Sequence, residues 1–367
     1  MPAGETGEPQ VMRRMCTDRS STAHRCVGSL QPLRLRSSEF RGLLGSLATL
    51  PASLLLFLLT PASADGAAQQ QLSVSDPPGA TLRLVIWYPT AGRATRQSLG
   101  SFHPNVAVGA PIEGQRLPLV VISHGTNGSA FSHYDTAVAL ADAGFVVVSL
   151  NHTGDNYADQ SRAGSRVNLI DRPRQLRRVI DYMLSEWPER SRLDANRIGM
   201  FGFSLGGFAT LVSIGGVPDL RRTRQLCLDN PSAPDCAFVR SHGGDPLDAA
   251  SIPPTNWVHD PRVKAAVIAA PAASYVFGPG SLTKVTVPVQ LWTAANDEDA
   301  PARWNSDVVD RGLPPSTETH VVPKTGHRVF LTPDICDPGV AAFDCTAFHE
   351  QLNATIVQFF ISHLPER

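Results

Sequence analysis

The stretch that most constrains this chain is Arg197-Ile198-Gly199-Met200-Phe201-Gly202-Phe203-Ser204-Leu205-Gly206-Gly207-Phe208-Ala209. It reads as a short buried strand, a very tight turn and a small-residue helix. Gly202-Phe203-Ser204-Leu205-Gly206 fits G-x-S-x-G, the pattern of a serine held at a sharp strand-to-helix turn with its hydroxyl exposed. A backbone strained in that way leaves no room for side chains beside the serine, so its neighbours must be glycine. Gly207 and Ala209 let the helix pack close to the sheet. The bland reading is a Gly-rich turn with an incidental serine. The apolar strand at 198–201 and the apolar helix at 208–214 argue against it.

The rest of the chain alternates buried runs with helical patterns. Residues 117–123 (LPLVVIS), 145–150 (FVVVSL), 263–270 (VKAAVIAA) and 287–293 (VPVQLWT) are continuous apolar runs, as in strands buried on both faces of a parallel sheet. Residues 81–87 (TLRLVIW) and 318–322 (ETHVV) are shorter strands. Helices are expected at 133–143, at 172–187, where apolar residues fall at 176, 179, 180, 183 and 184, and at 345–364. This alternation specifies an α/β fold with a mostly parallel central sheet flanked by helices. After Gly215-Gly216 the pattern dissolves, and 217–260, rich in Arg, Asp and Pro, reads as an insertion, or lid, over the active site.

The 367 residues, 42% hydrophobic, are ample for one large domain, expected over 81–367. A net charge of −1 gives no electrostatic case for nucleic acid or for an acidic membrane surface. Residues 1–64 read as an N-terminal extension and secretory signal peptide: Arg34, Arg36 and Arg41, an apolar run at 43–59 broken by Pro51, then the A-x-A site Ala62-Ser63-Ala64. The run is too short and interrupted for a good membrane span, so no stable membrane anchor is expected after cleavage, although an uncut signal anchor is the alternative. Residues 1–33 are long for the charged flank of a signal, which points to a start at Met12 or Met15 or to a disordered segment. Residues 65–80, with Gln69-Gln70-Gln71 and Pro77-Pro78, read as a linker, and 90–117 as a polar, Pro- and Gly-containing loop. Cys227, Cys236, Cys336 and Cys345 form two equally spaced local pairs beyond the signal. An even count in an exported chain favours two disulfides; three connectivities are possible, and the two local loops are the simplest. Metal binding is the weaker reading, without C-x-x-C spacing or a His cluster. The expected location is outside the cell or periplasmic.

A serine hydroxyl needs a base within hydrogen-bond reach, and the base needs a third group to orient it. Ser204, Asp297 and His327 occur in the chain order Ser, acid, His, each just after an expected strand. His320 and His349 are less well placed, inside a strand and a helix. The acid is open between Asp297, favoured by its position before Pro301, and Asp299. The developing oxyanion needs backbone N–H donors. Leu205, at the start of the elbow helix, and Thr126, in the loop His124-Gly125-Thr126, are the expected donors.

Ser123-His124-Gly125 after a buried strand, Gly202-Phe203-Ser204-Leu205-Gly206-Gly207 and the late Gly326-His327 resemble the secreted α/β-hydrolases grouped as dienelactone hydrolases, related to platelet-activating-factor acetylhydrolases and chlorophyllases. Ile86-Trp87-Tyr88-Pro89-Thr90, Arg172-Pro173 opening a helix and Pro288-Val289 extend the resemblance over roughly residues 80–362. Two departures matter. Dienelactone hydrolase proper uses a cysteine nucleophile where Ser204 stands. The acetylhydrolases place the acid after the strand that here ends Ile268-Ala269-Ala270-Pro271, which lacks a carboxylate. That strengthens Asp297 and weakens any transfer of phospholipid specificity. The resemblance implies an esterase acting without cofactor or metal on a small-molecule or lipid-like ester. The competing readings are a serine peptidase or amidase on the same fold and a non-catalytic binding protein.

Overall fold

A computed structural model describes residues 66–77, 80–247 and 257–366. The extension and signal peptide expected over residues 1–64 lie outside them. The strands are β1 (Gly66–Asp76), β2 (Ala80–Thr90), β3 (Thr95–Arg96), β4 (Asn105–Val108), β5 (Leu117–Ser123), β6 (Val146–Asn151), β7 (Leu193–Phe203), β8 (Val263–Ala269), β9 (Val289–Ala294) and β10 (Glu318–Val322). The helices are α1 (Tyr134–Asp142), α2 (Arg166–Ser185), α3 (Leu205–Ser213), α4 (Arg221–Asp229), α5 (Pro234–Ser241), α6 (Ser306–Gly312) and α7 (Cys345–His363).

The sheet runs β10-β9-β8-β7-β5-β6-β2-β1-β4-β3. From β10 to β6 every neighbouring pair is parallel, and β2 joins β6 antiparallel. All seven residues of β5 are buried, as a strand covered on both faces requires. One face is sealed by Leu176, Met183 and Phe208 from α2 and α3, the other by Leu140, Ile356 and Phe360 from α1 and α7. The mostly parallel sheet flanked by helices is the expected architecture.

The chain passes from β5 to β6 on one side, then returns to lay β7 on the other side of β5. Such a reversal opens a crevice at the carboxyl ends of the two central strands. The His124–Asn127 loop leaves β5 there and Ser204 leaves β7 there.

Three expectations need correction. Within the linker expected over 65–80, residues 66–76 form β1, which pairs along its whole length with β2, from Gly66 with Thr90 to Asp76 with Ala80. Its glutamines look like linker chemistry, yet Gln69 is buried because backbone pairing, not side-chain hydrophobicity, holds the strand. The loop expected over 90–117 contains β3 and β4. Helix α2 does not open at Arg172: Ser165 caps it by accepting from the Asn168 N–H, and Pro173 lies inside the helix.

The inserted segment carries α4 and α5, tied by the Cys227–Cys236 disulfide. A second disulfide, Cys336–Cys345, ties the chain after His327 to the first residue of α7. Among the described residues no helix is long and apolar enough to cross a membrane.

Candidate active site

Ser204 sits at the tip between β7 and α3 with φ 55° and ψ −121°, a conformation that a non-glycine residue holds only when its surroundings enforce it. The enforcement is visible. Ser204 N–H donates to Ala269 O at 2.9 Å, and Ser204 O accepts from Ala272 N–H at 3.1 Å, pinning the turn to the end of β8. A Cβ on Gly202 would run into Gly206 O and Thr210 Oγ1, and one on Gly206 would run into Ser123 O. The glycines of the motif are therefore steric necessities.

Strands β9 and β10 pair in parallel from Glu318 with Gln290 to Val322 with Ala294, so their carboxyl ends emerge side by side. Asn296 N–H donates to Thr325 O at 2.9 Å and draws the two following loops together. Asp297 leaves one and His327 the other. His327 Nδ1 lies 2.7 Å from Asp297 Oδ2, and His327 Nε2 lies 2.8 Å from Ser204 Oγ. Asp297 Oδ1 accepts from Ala300 N–H at 2.7 Å, which orients the carboxylate. With Nδ1–H donating to that carboxylate, Nε2 keeps its lone pair for the serine hydroxyl. Asp299 pairs with Arg328 instead: its side chain is 58% exposed and lies 3.8 Å from Arg328 Nε.

Ser204 and His327 line a cavity of about 1320 Å³, together with Thr126, Leu205, Asp299 and, from the insertion, Asp235 and Phe238. Leu205 is the first residue of α3, so its N–H has no acceptor within the helix. His124 faces away from this chemistry. It is fully buried, its Nδ1 meets Gly125 O at 2.6 Å, and its Nε2 accepts from His152 N–H at 3.2 Å. Burial, reinforced by the Arg172 guanidinium, holds its pKa down to about 3, so it is a neutral structural imidazole.

Two features escaped the sequence reading. Asp235, in the first turn of α5, has one carboxyl oxygen buried without a partner. Burial pushes its pKa up to about 6, although Ala273, Asn305 and His327 pull the other way. Asp155 and Arg172 form an ion pair at 2.8 Å with both side chains fully buried. Arg172 stands four residues before Leu176, on the buried stripe of α2, a spacing that becomes informative only once the helix is known to begin before it. Among the described residues no cluster could hold a metal ion.

Comparison with known proteins places the chain among hydrolases. The sequence family described as Alpha/beta hydrolase family matches residues 119–336. Cutinase est1 of Thermobifida alba is 32% identical over 113 residues, 30% of this chain and 35% of that protein. Cutinase cut1 of Thermobifida fusca is 32% identical over 113 residues, 30% of this chain and 32% of that protein. The match thus spans about a third of the length of these curated relatives. Among solved structures, the ferulic acid esterase of Streptomyces cinnamoneus superposes with a TM-score of 0.54 at 18% identity, covering 83% of this chain and 92% of that one. That likeness is one of fold.

Proposed function

This chain belongs to the alpha/beta hydrolase family, and on that premise we propose that it is an exported serine hydrolase that cleaves carboxylic esters through an acyl-enzyme on Ser204. The observation that carries this reading is the continuous relay from Asp297 through His327 to Ser204, at 2.7 and 2.8 Å.

In the first half-reaction Ser204 Oγ attacks the ester carbonyl carbon while His327 Nε2 takes the hydroxyl proton. Asp297 holds the ring in position and stabilises the imidazolium that forms. The carbonyl oxygen becomes an oxyanion, received by the N–H groups of Leu205 and Thr126; the N-terminal end of α3 adds its dipole. Collapse of the tetrahedral adduct breaks the bond to the alcohol oxygen, which leaves with the proton from His327. Water then attacks the acyl-enzyme, again giving a proton to His327, and Ser204 leaves with that proton as the acid is released.

The curated relatives' name, cutinase, supports ester rather than amide cleavage. The two disulfides fit an oxidising compartment and so support export. A cavity of about 1320 Å³ holds more than a short acyl group. The test is a chain-length series of p-nitrophenyl esters with a matched p-nitroanilide, run on the mature protein and on Ser204→Ala. Ester turnover that vanishes in Ser204→Ala is expected. Ester turnover that survives Ser204→Ala, or faster cleavage of the anilide, would overturn the reading.

A further inference from the structure

Residue 126, the proposed oxyanion donor, lies in a loop whose neighbours on both sides are held by one buried pair of charges. Arg172 Nη1 donates to His124 O at 2.6 Å, and Arg172 Nη2 donates to Gly125 O at 3.2 Å. On the other side, Asn127 N–H donates to Asp155 Oδ1 at 2.9 Å. The remaining carboxylate oxygen, Asp155 Oδ2, accepts from Arg172 Nη2 at 2.8 Å, from Arg172 Nε at 3.1 Å and from Asn168 Nδ2 at 2.6 Å. The two carbonyls before Thr126 and the amide after it are thereby fixed. Among the described residues, the amide of Thr126 itself donates to no protein acceptor.

The local backbone needs such a hold. Gly128 N–H closes a turn onto Gly125 O at 3.2 Å, and Asn127 sits at φ 56°. Asn tolerates the left-handed region better than most residues, but at a cost. Asp155 offsets that cost by accepting the Asn127 amide. Burial pushes the Asp155 carboxyl up, and Arg172 and the Asn127 amide outweigh it, so the group stays ionised, with its pKa below the usual carboxylate range.

Stability alone does not account for this pair. Burying two charges is costly, and a well-packed apolar pair of similar size is often as stable or more so. An apolar pair, however, could not turn two consecutive carbonyls and one amide to set orientations. A guanidinium can, because its donors form a rigid fork that carries its charge at every physiological pH. The framework behind it is rigid too: His152 meets Ser123 Oγ at 2.9 Å and Gln175 Oε1 at 2.8 Å, tying the ends of β5 and β6 to α2.

We infer that the Asp155–Arg172 pair is a positioning device that holds the Thr126 N–H aimed at the oxyanion of the reaction proposed above. The inference rests on that reaction. Asp155 and Arg172 do not touch substrate; they act through the loop. A donor preset in this way favours the transition state over the ground state, so its loss appears in kcat rather than KM.

The test compares Arg172→Lys, which keeps the charge but loses the fork, with Asn168→Ala, which removes one support of Asp155 and leaves both charges in place. For a p-nitrophenyl ester, Arg172→Lys should lower kcat by about 10²-fold, within the range for a lost oxyanion donor, with KM held within about twofold. A trifluoromethyl ketone that mimics the tetrahedral adduct should lose affinity in step with kcat/KM, while the carboxylic acid product binds as before. Asn168→Ala should move kcat in the same direction by a few-fold. A folded Arg172→Lys with unchanged kcat overturns the inference, as does a loss that vanishes on cooling below its unfolding transition. If Arg172→Lys does not fold, unchanged kcat in a folded Asn168→Ala overturns it. Wild-type turnover abolished by Ser204→Ala keeps the reaction standing whatever the loop variants do; without such turnover the reaction itself falls, and the positioning role falls with it.

Discussion

His327 meets Asp297 at 2.7 Å, while Asp299, two residues further along the same loop, reaches only Arg328 at the surface. Asp297→Asn should therefore lower kcat by about 10⁴-fold by favouring the wrong imidazole tautomer. Asp299→Asn should stay within about twofold of wild type. Steady-state kinetics on both variants decide the matter, and a large loss confined to Asp299→Asn would transfer the role.

The turn that carries Ser204 tolerates no added carbon. A Cβ on Gly206 would press into the carbonyls of Ser123 and His124, which are backbone and cannot rotate aside as a side chain would. Gly206→Ala should destabilise the fold by on the order of 3 kcal/mol. Gly243→Ala is the contrasting case: it meets nothing within 4 Å, although φ is 76° there, so only local backbone strain of about 1 kcal/mol is expected. Thermal melts of the two variants measure the difference.

Asp235 gives the cavity wall a stability that depends on pH. Its pKa is raised from 3.8 to about 6 in the fold, chiefly by burial. The folded state thus binds a proton more tightly than the unfolded chain, and the stability this contributes is present below about pH 4 and lost as pH rises through 6. Asp235→Asn removes the ionisation. Its melting temperature should therefore gain on wild type between pH 4 and pH 7. The buried histidines act in the opposite sense. Burial lowers His124 to about 3 and His133 to about 4, so both should destabilise the fold as pH falls below 6.5, where the unfolded chain takes up protons first. A gap between Asp235→Asn and wild type that stays constant over the pH range would contradict the assignment.

The Cys336–Cys345 disulfide closes a short loop between the segment after His327 and the start of α7. Replacing both cysteines by serine should cost about 2–4 kcal/mol of stability. Well below the new transition, kcat should be close to wild type, because the contacts of His327 with Asp297 and Ser204 do not involve the bridge. Urea unfolding and steady-state kinetics together check this.

The sequence made the centre of the sheet legible because parallel strands covered on both faces are nearly continuous apolar runs; β5, β8 and β9 are examples. Strand β1 was hidden because its polar residues are held by eleven backbone pairings to β2, which local composition does not report. Ser204, Asp297 and His327 were legible as types of residue at strand ends. Their contacts depend on the register of β9 against β10, which no local pattern encodes. Asp155 and Arg172 each resemble a solvated charge when read alone. They stand 17 residues apart, and only the crossover from β6 into α2 brings them together. Asp235 was obscured because the insertion has no periodicity from which burial could be read.

The most direct measurement is covalent trapping with a fluorophosphonate, followed by peptide mass mapping and an ester assay on the same sample. One adduct per chain, located on Ser204, with ester turnover lost in proportion to labelling, is the expected result. Undiminished turnover in fully labelled protein, or an adduct mapped to another residue while Ser204→Ala still hydrolyses the ester, would contradict a nucleophilic serine at the centre of this site.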